Sequence, residues 1–283
     1  MTTPVKGARK IMLARIDAPV PYSKGAWLRS VGLNPVDLAG KVFTSASYKG
    51  GIGKTLIAYE LAFLIDGILV DLDWDKGGAT VKWGYDPDLR VNAPLVDLVE
   101  KGRIPKPLSG QLWRPDLVPC TPDLKYVVPP AKKFTDILVK LAQELGEKYQ
   151  KAVVFDTHPG GGPEAFAPMA TSNVVLGVVE LGQQEMSAGE QMVDELKAYP
   201  LLLVPNRVTG TAQEDRYLDW LDRVTEEAGV PVAPPITDMR HWVKVRKSRM
   251  AITANRPTAR FERLRQDLQA VAGAAVSYVR AAA

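Results

Sequence analysis

A chain of 283 residues with 46% hydrophobic and 24% charged side chains has the make-up of a globular protein, with apolar material for one large α/β unit or two small ones. A single cysteine, Cys120, excludes an internal disulfide and a four-cysteine metal site within one chain. No run approaches the roughly 18 apolar residues of a membrane span, and the polar residues 1–10 lead into no signal-peptide core, so a cytoplasmic protein is expected.

Residues 1–40 carry prolines at 4, 19, 21 and 35 and read as an irregular N-terminal extension with a short helix at 26–31. Strand and helix then alternate through a domain spanning 41–283. A strand at 41–46 is followed by a helix at 54–65 and a buried strand at 68–72. A short helix at 94–101 has Pro94 in its first turn, where the missing N–H costs nothing. Extended runs at 117–120 and 126–128 precede a helix at 134–149 with Leu138, Leu141 and Leu145 on one face. Strands at 152–156 and 173–179, a helix at 186–198, a strand at 201–204 and a helix at 212–228 follow. Helices at 238–251 and 258–280 close the chain. Strands separated by helices imply a three-layer α/β fold with a mostly parallel, doubly wound sheet.

Between the first strand and its helix lies Ser47-Tyr48-Lys49-Gly50-Gly51-Ile52-Gly53-Lys54-Thr55. Small glycines let backbone N–H groups curl round phosphates, and the following helix N-terminus adds dipole and free donors. Residues Gly50, Gly51, Ile52, Gly53, Lys54, Thr55 and Leu56 are therefore expected to hold a nucleotide. Lys54 would neutralise its β and γ oxygens, and the Thr55 hydroxyl suits Mg²⁺, a hard ion that prefers oxygen.

Two strands end in carboxylates. The first runs into Asp71-Leu72-Asp73, whose acids point the same way on a strand, and Asp71 is placed to support Mg²⁺ through water. The second, 152–155, ends in Asp156, a Walker B carboxylate at the edge where open α/β sheets bind ligands.

The usual phosphate loop has glycine where this chain has Tyr48, and the run Lys49-Gly50-Gly51-Ile52-Gly53-Lys54-Thr55 resembles the ParA/MinD family of deviant Walker A ATPases. The resemblance covers about residues 41–280. It implies a P-loop NTPase fold and Mg²⁺-dependent ATP hydrolysis. It also implies a sandwich homodimer in which Lys49 reaches the other copy's nucleotide, an added cation comparable to an arginine finger. The segment from Asp71 to Thr80 is similar to the family's D-x-D-P-Q-G-N-A-T, with one residue inserted and Trp74-Asp75-Lys76 in place of Pro-Gln-Gly. By that likeness Asp73 positions the attacking water. His158 replaces a proline of the family's D-T-P-P-G. Asn206, after 201–205, resembles the family's adenine-reading asparagine.

The charge pattern selects within the family. The net charge is +4, but the window 240–265 holds nine cations against Glu262 and carries +8, leaving −4 elsewhere. Such a block suggests a polyanion partner, with Arg240, Lys244, Arg246, Lys247 and Arg249 as DNA-contacting candidates. One cysteine excludes the iron–sulfur branch. The last helix carries an apolar stripe that reads as core, and its final turn lacks bulky membrane anchors, so no membrane partner is expected. The resemblance then implies a small DNA-segregation ATPase without a helix-turn-helix domain, nucleoid-associated, released from nonspecific DNA when a centromere-binding, ParB-like partner stimulates hydrolysis. The alternatives are a positioning ATPase for a protein cargo and a MinD-like membrane-surface factor.

Overall fold

The computed structural model describes residues 22–75, 78–85, 93–240, 249–255 and 259–282. Among these residues seven strands form one parallel sheet in the order β3-β2-β4-β1-β5-β6-β7. They are β1 (Val42–Ala46), β2 (Ile68–Asp71), β3 (Asp116–Val118), β4 (Val153–Asp156), β5 (Val174–Glu180), β6 (Leu201–Val208) and β7 (Ile236–Thr237). The inner strands are almost continuously buried, as parallel strands covered on both faces must be.

One face is covered by α1 (Ala26–Ser30), α2 (Lys54–Leu64) and α9 (Ala259–Ala281). The other carries α4 (Pro94–Lys101), α5 (Ala131–Tyr149), α6 (Pro163–Ala170), α7 (Gln183–Leu196) and α8 (Ala212–Ala228). The short α3 (Ala79–Trp83) follows β2. Phe43, Leu69, Leu117 and Val154 stand in register across four strands and are fully buried beneath the first layer. Each contributes about 1.5–3 kcal/mol of burial. The α9 stripe Leu264, Leu268, Val271, Ala275 and Val279 lies inside this core, as its spacing predicts.

Several expectations shift. The strand expected at 201–204 runs to Val208, through Pro205 and Asn206. The 126–128 run is not extended; Pro122–Tyr126 is a 3-10 helix, started by proline at its first position. The helices Ala79–Trp83 and Pro163–Ala170 have no counterpart among the elements expected from the sequence. Most of the helix expected at 238–251 falls on 241–248, outside the described residues, and 249–251 is not helical. Leu28 and Leu38, within the stretch read as an N-terminal extension, are buried in the main core.

From β1 the chain winds to β2 and β3 on one side, and from β4 it crosses to β5, β6 and β7 on the other. Open α/β sheets bind ligands at such a reversal, beyond the strands' carboxyl ends.

Candidate nucleotide and metal site

The loop after β1 enters α2 through Gly53, whose φ of +107° is a left-handed conformation that side chains avoid. A Cβ there would also run into the side-chain amide of Asn206. Ser47 closes the start of the loop, its hydroxyl accepting from the Lys49 N–H and donating to the Lys49 carbonyl, each at 3.0 Å. Ser45 Oγ donates to the Lys54 carbonyl at 3.1 Å and roots the loop's end in β1.

Lys54 opens α2 and is 5% exposed. Burial lowers its pKa, and the charges of Asp156 and Asp73 oppose that shift. Lys54 and the carboxylates Asp73 and Asp156 therefore meet at one place, whereas Lys49 stands apart from them beside Glu180. Asp71 and Asp156 are direct partners in the pairing of β2 with β4, and both are fully buried.

These two acids are served differently. Asp71 Oδ1 accepts the Asp73 N–H at 3.0 Å and Oδ2 the Thr80 N–H at 2.6 Å. It ties the loop after β2 to the start of α3, and burial raises its pKa to about 6 against those hydrogen bonds. Neither oxygen of Asp156 has a hydrogen-bond partner among the described residues. Burial, then the charge of Asp71, pushes its pKa well up; Thr55 and Lys54 act in the opposite direction. The Thr55 hydroxyl is near enough to favour the charged carboxyl, yet no hydrogen bond of sound geometry joins them.

Two orphaned carboxylate oxygens beside a threonine hydroxyl form a hard-oxygen donor set that fits Mg²⁺. Thr55 and Asp156 would hold the ion, with Asp71 fixing the adjoining loop. Asp73 is 9% exposed and accepts the Asp75 N–H at 3.1 Å. Burial raises its pKa, partly offset by His158 and Lys54.

Sequence reasoning misses a clamp on the phosphate loop. Asn206 Nδ2 donates to the Ile52 carbonyl at 2.6 Å. Arg207, at a left-handed φ of +64°, donates to the Gly51 carbonyl and to Glu180 Oε1, the latter at 2.5 Å. Glu180 Oε2 also lies 3.9 Å from Lys49 Nζ, whose side chain is half-exposed. Tyr48, replacing the usual loop glycine, donates to Glu195 on α7 at 2.5 Å. The one forward signal for Arg207 is its place after Asn206 at a strand end.

Beyond Asn206 opens a largely apolar cleft lined by Leu56, Ile236, Met239 and Leu264. Arg240 also borders it, and its guanidinium is fastened to Asp238, with Nη2–Oδ2 at 2.6 Å. Its charge is thus partly neutralised locally. Arg249 is exposed and packs over Gly84, and its carbonyl accepts the Tyr59 hydroxyl at 2.6 Å. Lys244, Arg246 and Lys247 lie outside the described residues. Among the described residues, no helix is long and apolar enough to cross a membrane.

No family model matches the chain. It is 27% identical over 217 residues to the Probable plasmid-partitioning protein ParA of Thermus thermophilus. The match takes in 69% of this chain and 66% of that protein, just under two thirds of the relative's length. Among solved structures, the ATP complex of a Cyanothece McdA variant superposes with a TM-score of 0.66 at 16% identity, over 85% of this chain and 96% of that one. Pyrococcus horikoshii MinD with Mg-ADP gives 0.64 at 17% identity, over 83% and 95%. At such identities the two structures speak for the fold.

Proposed function

We propose that the chain is a ParA/MinD-type P-loop ATPase and, within that family, a DNA-segregation ATPase working as a nucleotide-switched dimer on nonspecific DNA. The observation that carries the catalytic half is Asp156. A fully buried carboxylate with no partner for either oxygen among the described residues, facing a buried lysine at the sheet's reversal point, is costly unless it serves a ligand.

The residues divide the work. Lys54 and the N–H groups of the loop bind the phosphates and offset their charge. Thr55 and Asp156 would hold Mg²⁺, which would supply positive charge to offset that of the phosphates. Asp73 orients a water in line with the terminal phosphate, a task of positioning more than of basicity. Lys49, on the loop's outer side, meets the nucleotide of a second copy. To do so it must leave Glu180. Asn206 and the cleft beside it take the adenine.

The partition role is supported by the plasmid-partitioning relative and by the +8 window at 240–265. A positioning ATPase for a protein cargo would use the same dimer and the same DNA track. A membrane-surface role has less to draw on, because the apolar stripe of α9 is buried in the core.

The test has two arms. Light scattering should find dimers with a nonhydrolysable ATP analogue and monomers with ADP. Co-sedimentation should then find the ATP-analogue form on DNA and not on anionic liposomes. Asp73→Ala should still dimerise and bind DNA with ATP while turnover stops. A wild-type protein that ignores DNA in every nucleotide state ends the segregation reading, and normal turnover by Asp73→Ala moves the water to another residue.

A further inference from the structure

The loop after β2 and the loop after β4 are joined by side chains that the site chemistry does not use. The rings of Trp74 and His158 stack with centroids 4.4 Å apart and planes inclined by 20°. His158 Nε2 stands 3.2 Å from Asp75 Oδ2, across 83 residues of sequence. Trp74 also packs against the cluster that holds Val70, Leu72 and Phe155, so the stack rests on the core. Asp75 in turn gives its N–H to Asp73 Oδ1. An unbroken path therefore runs from the carboxylate proposed to position water, through Asp75, to the residue two places after Asp156.

Magnitudes decide which link matters. The Asp75 carboxylate is 66% exposed, and an exposed ion pair holds a loop weakly. The ring stack is better sheltered, His158 being 19% exposed, and an aromatic stack adds directional attraction beyond its buried area. The stack therefore does most of the holding and the His158–Asp75 contact sets its direction. Misplacing a reacting group by about 1 Å costs on the order of 100-fold in rate, so even a modest restraint on Asp73 has a measurable effect.

We propose that Trp74 and His158 form a latch between the two loops, keeping Asp73 in register with Asp156. Both are positioning residues, acting on the water through Asp73. The inference rests on the reading of Asp73 as the water-positioning group. It also accounts for two departures from the family's loops together: Trp74 and His158 are partners.

The experiment is a double-mutant cycle on steady-state ATP turnover by the full chain, with Trp74→Ala, His158→Ala and the double variant. Each single change should lower kcat about 3- to 10-fold while KM for ATP stays within about twofold. The double variant should fall no further than the worse single one, because one latch is broken either way. Trp74→Phe keeps a ring to stack and should retain more than half of wild-type kcat. Trp74 emission, taken as wild type minus Trp74→Phe, should be quenched by the stacked imidazole and rise in His158→Ala. That reading does not depend on turnover or on the alanine variant of Trp74 folding. Multiplicative single effects, a Trp74→Phe variant as slow as Trp74→Ala, or emission indifferent to His158 would each overturn the latch. Asp73→Ala, run alongside, separates the two ideas: if it is inactive while the cycle is multiplicative, the latch alone fails; if it turns over normally, the site reading fails.

Discussion

Asp156 works against the stability of the fold. It is fully buried, has no hydrogen bond among the described residues and faces Asp71 across the β2–β4 pairing, so burial and the neighbouring acid make both take up protons more readily than free carboxyls do. The sign follows from linkage. A carboxyl whose folded pKa is raised favours the fold most below its unfolded value, and that contribution is lost as pH rises, for Asp71 from about 4 through about 6. A cation that demands ionised oxygens must displace those protons. Binding of Mg²⁺ with ATP at pH 6 is therefore expected to release protons, and the release should shrink as pH is raised. Isothermal titration in buffers of different ionisation enthalpy measures it. Asp156→Asn should flatten the buffer dependence, and a wild type with none at pH 6 would put the metal elsewhere.

At the scale of elements, the far end of the sheet is fixed by charge. Asp116 at the start of β3 accepts from Lys24 at 2.6 Å and from Lys151, just before β4, at 2.8 Å. Asp66, just before β2, pairs with Lys151 at 2.7 Å. Burial would raise the Asp116 pKa, but hydrogen bonds from Lys151 and Lys24 outweigh it and hold it below the usual range. These side chains are 12–20% exposed, so the cluster is partly desolvated and breaking it strands a lysine. Asp116→Asn should cost about 2–3 kcal/mol in urea unfolding at pH 7, below the full loss for a dry pair. Because the folded pKa is depressed, that stability is present above the unfolded value of 3.8 and lost as pH falls below it. The variant should lack this acid-side slope. Equal acid slopes in both proteins would mean that the cluster contributes nothing.

Features encoded by neighbouring residues are legible in the sequence, and those made by distant pairs are not. The phosphate loop, Asp73 and Asp156 are legible because each sits within a few residues of its own strand end, and local pattern encodes local geometry. The helix Pro163–Ala170 escapes because it is short, with Pro168 inside it. Arg207 and Glu180 escape for another reason: their partners lie far along the chain, and only the parallel pairing of β5 with β6 brings them to the loop. Glu60, fully buried, likewise accepts from Ile252 and Thr253 at 2.6–3.1 Å, a link between distant stretches of chain that no periodicity announces.

Across the molecule, Glu60 and Tyr59 matter because they fasten residues 249–253, within the basic window, onto α2, the helix that begins with Lys54. Arg249 thus sits on a foundation shared with the phosphate loop. Replacing Arg246, Lys247 and Arg249 together with alanine should weaken binding to every DNA sequence alike, since phosphate contacts carry no sequence information. The slope of log affinity against log salt should shrink by about 0.9 for each DNA phosphate no longer neutralised. ATP affinity should persist, as none of the three belongs to the loop. Filter binding across a salt series checks this; an unchanged slope would make the block a solvated surface.

The two ends of the proposed nucleotide cleft differ in what holds them. The phosphate loop grows from β1, flanked by β4 and β5, whereas the base is walled by β7, two residues long at the sheet's edge. That strand pairs with Asn206 and Val208 across an irregular register and is otherwise steadied by the Asp267 carboxylate accepting the Thr237 N–H at 3.0 Å. A nucleotide gripped this way is expected to leave base first, with a residence time set by the triphosphate and a loose preference between purine and pyrimidine bases, because a single short strand walls the base.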